Sequence, residues 1–122
     1  MKHFKRIIIL STVLVCLVSM TVFAKAGSYS STYSMKGGVF SKKWIDPKSK
    51  CTVDVFPEIG TPGEDMAVIW ANKVFFGWDG DYKWTSSTEP GTVTFKSSRR
   101  RKVWLRNFTG IRWEGKVTFS WD

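Results

Sequence analysis

The run Arg99-Arg100-Arg101-Lys102-Val103-Trp104-Leu105-Arg106-Asn107-Phe108, followed by Arg112 and Trp113, is the part of this chain best equipped for chemistry. A guanidinium fork takes phosphate or carboxylate in paired hydrogen bonds. Aromatic faces stack on sugars or bases, or settle at the headgroup level of a bilayer. On a strand starting near Lys102, Val103 and Leu105 point one way, while Lys102, Trp104, Arg106 and Phe108 point the other. Arg99 to Arg101 then add a positive rim in the preceding turn. Arg99, Arg100, Arg101, Lys102, Trp104, Arg106, Phe108 and Arg112 are therefore the candidates for binding an anionic surface. The opposite assignment also stands: Trp104 and Phe108 in the core, Val103 and Leu105 in a minor patch, and Arg99 to Lys102 a solvated turn.

Other chemistry is thinly supplied. The one histidine, His3, lies in an N-terminal segment that reads as removable, so Ser-His-Asp and Cys-His sites, His-ligated metals and imidazole acid-base work are not expected. Cys51 alternates with Val53 and Val55 and reads as a small buried hydrophobe rather than a reactive thiol. Carboxylate chemistry such as glycoside hydrolysis needs two acids about 5–10 Å apart. Glu58, Glu64, Asp65, Glu89 and Glu114 are available, but none falls in a motif. Asp79-Gly80-Asp81 reads as a tight turn, because the further acids of a Ca²⁺ loop are missing. Asn107-Phe108-Thr109 matches a glycosylation sequon, which matters only in a eukaryotic source. No catalytic residue, metal site or cofactor is assigned, and an enzyme is not expected.

The N-terminus reads as a secretory signal peptide over residues 1–24. It has a positive head (Lys2, Lys5, Arg6), an apolar stretch from Ile7 to Val18, and a smaller, more polar tail. Cleavage after Ala24 or Ala26 would start the mature chain at Lys25 or Gly27. An uncleaved anchor is the alternative, but the stretch from Ile7 to Phe23 contains four Ser or Thr and is short for a bilayer about 30 Å thick. Cys16 follows Val15 and precedes more apolar residues, which argues against lipid attachment.

Removing 24 of the 122 residues leaves 98, enough for one domain, 25–122. That part holds 16 Lys and Arg against ten acids, a charge of +6, with the excess confined to residues 95–122. Cys51 is its only cysteine, so no intrachain disulfide can support it. Packing must do so, aided by seven Trp residues.

The elements that position these residues follow a period of two. Strands are expected at Ser30–Met35, Val39–Ile45, Cys51–Phe56, Ala67–Ala71 and Val74–Trp78, and then at Tyr82–Ser86, Thr92–Lys96, Lys102–Phe108 and Lys116–Trp121. Turns are expected at Gly37-Gly38, Asp46-Pro47, Gly60 to Gly63, Asp79 to Asp81, Glu89 to Gly91 and Ser97-Ser98. Val117, Phe119 and Trp121 should face the core, as should Val93 and Phe95. A short helix over residues 64–73 is the runner-up to a strand there. The fold class is all-β: a small antiparallel β-sandwich, or a small barrel, of about seven to nine short strands.

The expected function is a secreted, non-enzymatic protein whose C-terminal basic-aromatic face binds an anionic envelope polymer, glycan or membrane lipid. Alternatives are an antimicrobial toxin, a partner-binding or inhibitory module, and a carboxylate glycosidase. Nucleic acid suits such a face chemically, but export argues against it as the native ligand. The oligomeric state is left open.

Overall fold

Alternation of apolar and hydroxyl-bearing residues builds β1 (Ser28–Met35), β3 (Lys50–Ile59), β6 (Gly91–Lys96) and β8 (Trp113–Trp121). These pair antiparallel in the order β1-β8-β3-β6. The strands β2 (Gly38–Phe40), β4 (Asp65–Val74), β5 (Gly77–Ser86) and β7 (Lys102–Arg106) form a second antiparallel sheet, ordered β2-β7-β4-β5. This computed structural model describes residues 27–122, so the signal peptide expected at residues 1–24 lies outside the described residues. Among the described residues there is no helix, and neither sheet closes into a barrel. The helix considered for residues 64–73 is strand β4.

The two sheets enclose one core in a sandwich-like arrangement. Cys51, Val53, Val55, Val93, Phe95, Val117 and Phe119 come from the first sheet, and Met66, Val68, Trp70, Val103 and Leu105 from the second. The expected inward positions of Val93, Phe95, Val117 and Phe119 are as found, while Trp121 is partly buried against the core. Cys51 is fully buried, and burial, with the nearby charge of Asp122, pushes its thiol pKa up to about 12. The thiolate is disfavoured, as a structural cysteine requires. Among the described residues, Gly27 to Asp122, the two sheets enclose one large core cluster, and a smaller cluster lies on the outer face of β4.

Three expected elements are corrected. Val39–Ile45 is not one strand: β2 ends at Phe40, where the Ser41 hydroxyl accepts the Val103 N–H and interrupts the ladder. The chain loops out and returns at Ile45, which exchanges two backbone hydrogen bonds with Arg101. Val74–Trp78 is not a strand either, because Phe75 and Phe76 form the turn of a β4–β5 hairpin whose last pair is Val74 and Gly77. Gly77 closes that turn at φ +135°, a conformation side-chain-bearing residues rarely adopt. Asp79-Gly80-Asp81 is accordingly no turn. It lies within β5, and Gly80 is needed because a Cβ there would strike the Trp70 carbonyl and the Ala71 backbone.

β7 also stops at Arg106 rather than at Phe108. The buried Asn107 side chain accepts from the Thr109 N–H and hydroxyl and donates to the carbonyls of Met35 and Ile111. It folds the chain into a tight loop. Its amide nitrogen is thereby occupied, which removes the sequon from consideration as an accessible modification site.

Candidate anion-binding surface

β4 explains the site. Met66, Val68 and Trp70 enter the core, but the intervening Ala67, Ile69 and Ala71 are buried too, on the opposite face. Something must cover that outer face, and the register shows what does. Ile69 lies opposite Trp104 of β7 and Tyr82 of β5, and Phe40 of β2 lies beyond Trp104. Ala67 lies between Arg106 and Trp84, and Ala71 lies between Lys102 and Gly80. Directly opposed residues of neighbouring strands share a face. One row of aromatic and basic side chains therefore spans the outer surface of the second sheet.

The side chains form a continuous stack. Trp44, placed by the loop that Ser41 opens, lies 5.8 Å from Trp78, and Trp78 lies 4.5 Å from Phe40. Phe40 and Trp104 are nearly parallel, 11° apart at 4.7 Å. The Arg106 guanidinium follows, 4.4 Å from the Trp104 ring and 4.8 Å from that of Phe108, and Phe108 continues to Trp84 at 6.1 Å. At the other end, Arg100 and Lys102 sit 5.7 and 5.5 Å from Trp44. The rings are mostly faced by one another or by a cation, so the interior of the stack offers ring edges and N–H groups rather than free faces.

This arrangement resolves the two readings of the basic run. Val103 and Leu105 belong to the core, and Lys102, Trp104 and Arg106 are half-buried on the outer face, with Phe108 exposed at its end. The candidates do not all meet, however. Arg100, Lys102, Trp104, Arg106 and Phe108 join the stack, whereas Arg99 and Arg101 line a groove of about 540 Å³ at the end of the sandwich. Arg112 turns to the other sheet, where it donates to the Ser34 hydroxyl.

Phe40, Trp44, Trp78 and Trp84 complete the site from outside the basic run. The one available signal was the unbroken apolar stretch Met66 to Ala71, which no single-sided strand requires.

Charge on this face is almost wholly unneutralised. Among the described residues the one ion pair within 4 Å joins Arg100 to Asp46 at 3.7 Å, both well exposed. Arg106 and Lys102 have no acidic partner at that distance. Arg106 is instead fixed by the rings on either side. Cation–π contact uses none of the guanidinium's N–H donors, and no hydrogen bond of the Arg106 side chain occupies them among the described residues, so they are available to an anion. The carboxylates do not gather into a comparable site. Glu58 and Glu114 flank the irregular β3–β8 pairing, while Glu64, Asp65 and Glu89 sit around the loops that enter β4 and leave β5. A comparison with protein-family models finds no match, and a search of the curated proteins returns none either.

Proposed function

We propose that the chain is a secreted, non-enzymatic protein that binds an anionic surface of the cell envelope through the outer face of its second sheet. The groups bound are phosphates or carboxylates of envelope polymers. The observation that carries this reading is Arg106, held between Trp104 and Phe108 and facing no carboxylate within 4 Å. Arg100 and Lys102 around Trp44 supply further cations at the other end of the same stack, so an extended polyanion would meet charge along its length. The stacked rings supply rigidity, which lowers the entropy lost on binding. Export is supported by the three-part N-terminal segment, and a non-enzymatic role by the scattered carboxylates and the protonated, buried Cys51.

The test is co-sedimentation of residues 25–122 with isolated envelopes and with a soluble polyphosphate, across a salt titration, beside a variant carrying Arg100→Ser, Lys102→Ser and Arg106→Ser. Binding should weaken steeply as salt shortens the screening length to about 10 Å at 0.1 M, and it should vanish in the variant. Equal binding by the variant at low salt would end the proposal.

A further inference from the structure

The β4–β5 hairpin ends in two aromatic residues that nothing covers. Phe75 is 92 % exposed and Phe76 94 %, each touching the other edge-to-face at 4.7 Å, with Val74 also exposed beside them. Exposed hydrophobes scattered singly are ordinary, but three consecutive ones at the extremity of a hairpin form a protruding apolar point. The turn gains nothing from them. Its geometry is met by Gly77, and small polar residues would make the same turn with less apolar surface in water.

The charges around this point are not random. Lys73 flanks it on β4, and Lys96, Arg99 and Arg101 share the end groove with Val74 and Asp79. Lys50 pairs with Lys96 in the same region, and Lys48 lies beside it, bonded to Asp122. The opposite end of the sandwich carries Glu58, Glu64, Asp65, Glu89 and Glu114 beside Lys36, Arg106 and Arg112, and is acidic on balance. The molecule is therefore polarised along its strands, with the apolar point on the basic end. The groove behind the point places Asp79 and Asp81 of β5 across from Lys96, Arg99 and Arg101, and none of these is paired within 4 Å.

From this we infer that the hairpin tip is a membrane-docking point. Phe75 and Phe76 enter the interfacial layer of an anionic phospholipid bilayer, while Lys73, Lys96, Arg99 and Arg101 meet its phosphates. Aromatic side chains favour that layer, and basic residues near an anionic leaflet are drawn to it over roughly a Debye length. Charge complementarity selects an anionic occupant over a neutral or basic one, and the protruding apolar point with basic residues set back around it matches a bilayer, whose anionic headgroups overlie acyl chains, better than a flat acidic protein surface. The inference is independent of the stacked face, since none of its residues belongs to the stack.

The experiment measures partition of residues 25–122 onto vesicles of phosphatidylglycerol with phosphatidylcholine and onto vesicles of phosphatidylcholine alone. Three variants accompany it: Phe75→Ser with Phe76→Ser, Arg99→Ser with Arg101→Ser, and Arg106→Ser alone. The two Phe rings touch only each other among the aromatic groups, so thermal unfolding should confirm that their loss leaves the fold intact. The expected result is preference for the anionic vesicles, a loss of about tenfold or more in the Phe variant, and a flatter salt dependence in the Arg99, Arg101 variant. Arg106→Ser should keep vesicle binding while weakening polyphosphate binding, so failure of either proposal is recognised separately. Equal partition of the wild type and the Phe variant would overturn the inference. So would a wild-type dimer that the Phe variant converts to monomer, which would assign the tip to a second copy of the chain.

Discussion

The outer faces of the two sheets are made by the same antiparallel pairing and could hardly differ more in composition. On the first sheet, Ser28, Ser30, Thr32, Thr118, Thr92 and Thr94 present hydroxyls, and several bond across the strands: Ser30 with Thr118, Thr94 with Thr52, and Thr92 to the Asp54 carboxylate. On the second, aromatic rings and cations cover alanines and an isoleucine that water does not reach. The first sheet is the usual half-buried sheet, one face in the core and one in solvent. The second carries a small apolar layer on its far side as well, built from side chains that also present charge. One consequence is that the stack should contribute to stability before it contributes to binding.

The largest contrast should appear when one residue is truncated on each outer face. Ile69→Ala removes buried methyl groups from beneath Trp104 and Phe40, and it should destabilise by about 2–5 kcal/mol in urea unfolding. Thr118→Ala, on the hydroxyl face, should change stability by no more than about 0.5 kcal/mol. Similar losses at the two positions would show that the rings lie loosely on the sheet and that the second layer has no energetic standing.

A smaller effect should separate packing from charge within the stack. Trp104→Ala and Arg106→Ser remove the two members of one contact, and their combination measures its coupling in a double-mutant cycle. At 4.4 Å the pair should show about 0.5–2 kcal/mol of favourable coupling, largely retained at high salt because the guanidinium is partly buried against the ring. Coupling near zero would mean that Arg106 is held by solvent rather than by the rings, and its pre-orientation for an anion would lose its basis.

The same contrast governs how much could be seen in the residues. β3, β6 and β8 have one wet face, so Val53, Val55, Phe95 and Phe119 announce themselves by alternation, and the all-β class follows. β4 has two dry faces, and Met66 to Ala71 lose all period, so Glu64 and Asp65 before the run and Lys73 at its end, charges placed as a short helix prefers, let a helix compete with a strand there. The hairpin tip was hidden by its own composition. Phe75 and Phe76 resemble strand residues, and Asp79-Gly80-Asp81 resembles a turn, so the loop is expected at 79–81 and found at 75–76. The Ser41 hydroxyl that breaks the β2–β7 ladder leaves no pattern at all, and it is what brings Trp44 to the stack. The basic run, contiguous in sequence, divides because the β6–β7 connection sends Arg99 and Arg101 to the end groove and Arg100 to Trp44. Which rings meet which cations is decided by pairing between distant strands, and no local period encodes that.

The smallest predicted effect concerns the first sheet, whose polar contacts are exposed. The Asp122 carboxylate accepts from the Ser49 hydroxyl and from the backbone N–H groups of Ser49, Lys50 and Lys48, and the Ser49 hydroxyl above all, with the Ser49 and Lys50 N–H groups, holds its pKa well below the usual carboxylate range. With the native pKa depressed, the unfolded chain binds more protons once pH drops below about 4, the ordinary value for Asp. The stabilisation from this clasp is therefore complete above that value and is lost as pH falls towards the native pKa. Thermal unfolding between pH 5 and pH 2 should show this decline, and Asp122→Asn should be less stable at pH 5 and show a shallower fall. Because the group is exposed, the change should be smaller than that at Ile69 and should shrink further with salt. An acid-induced loss of the same steepness in Asp122→Asn would move its origin to other carboxylates. A loss as large as that of Ile69→Ala would mean that the hydroxyl-faced sheet also depends on its outer contacts, and the difference between the two faces would be one of chemistry alone.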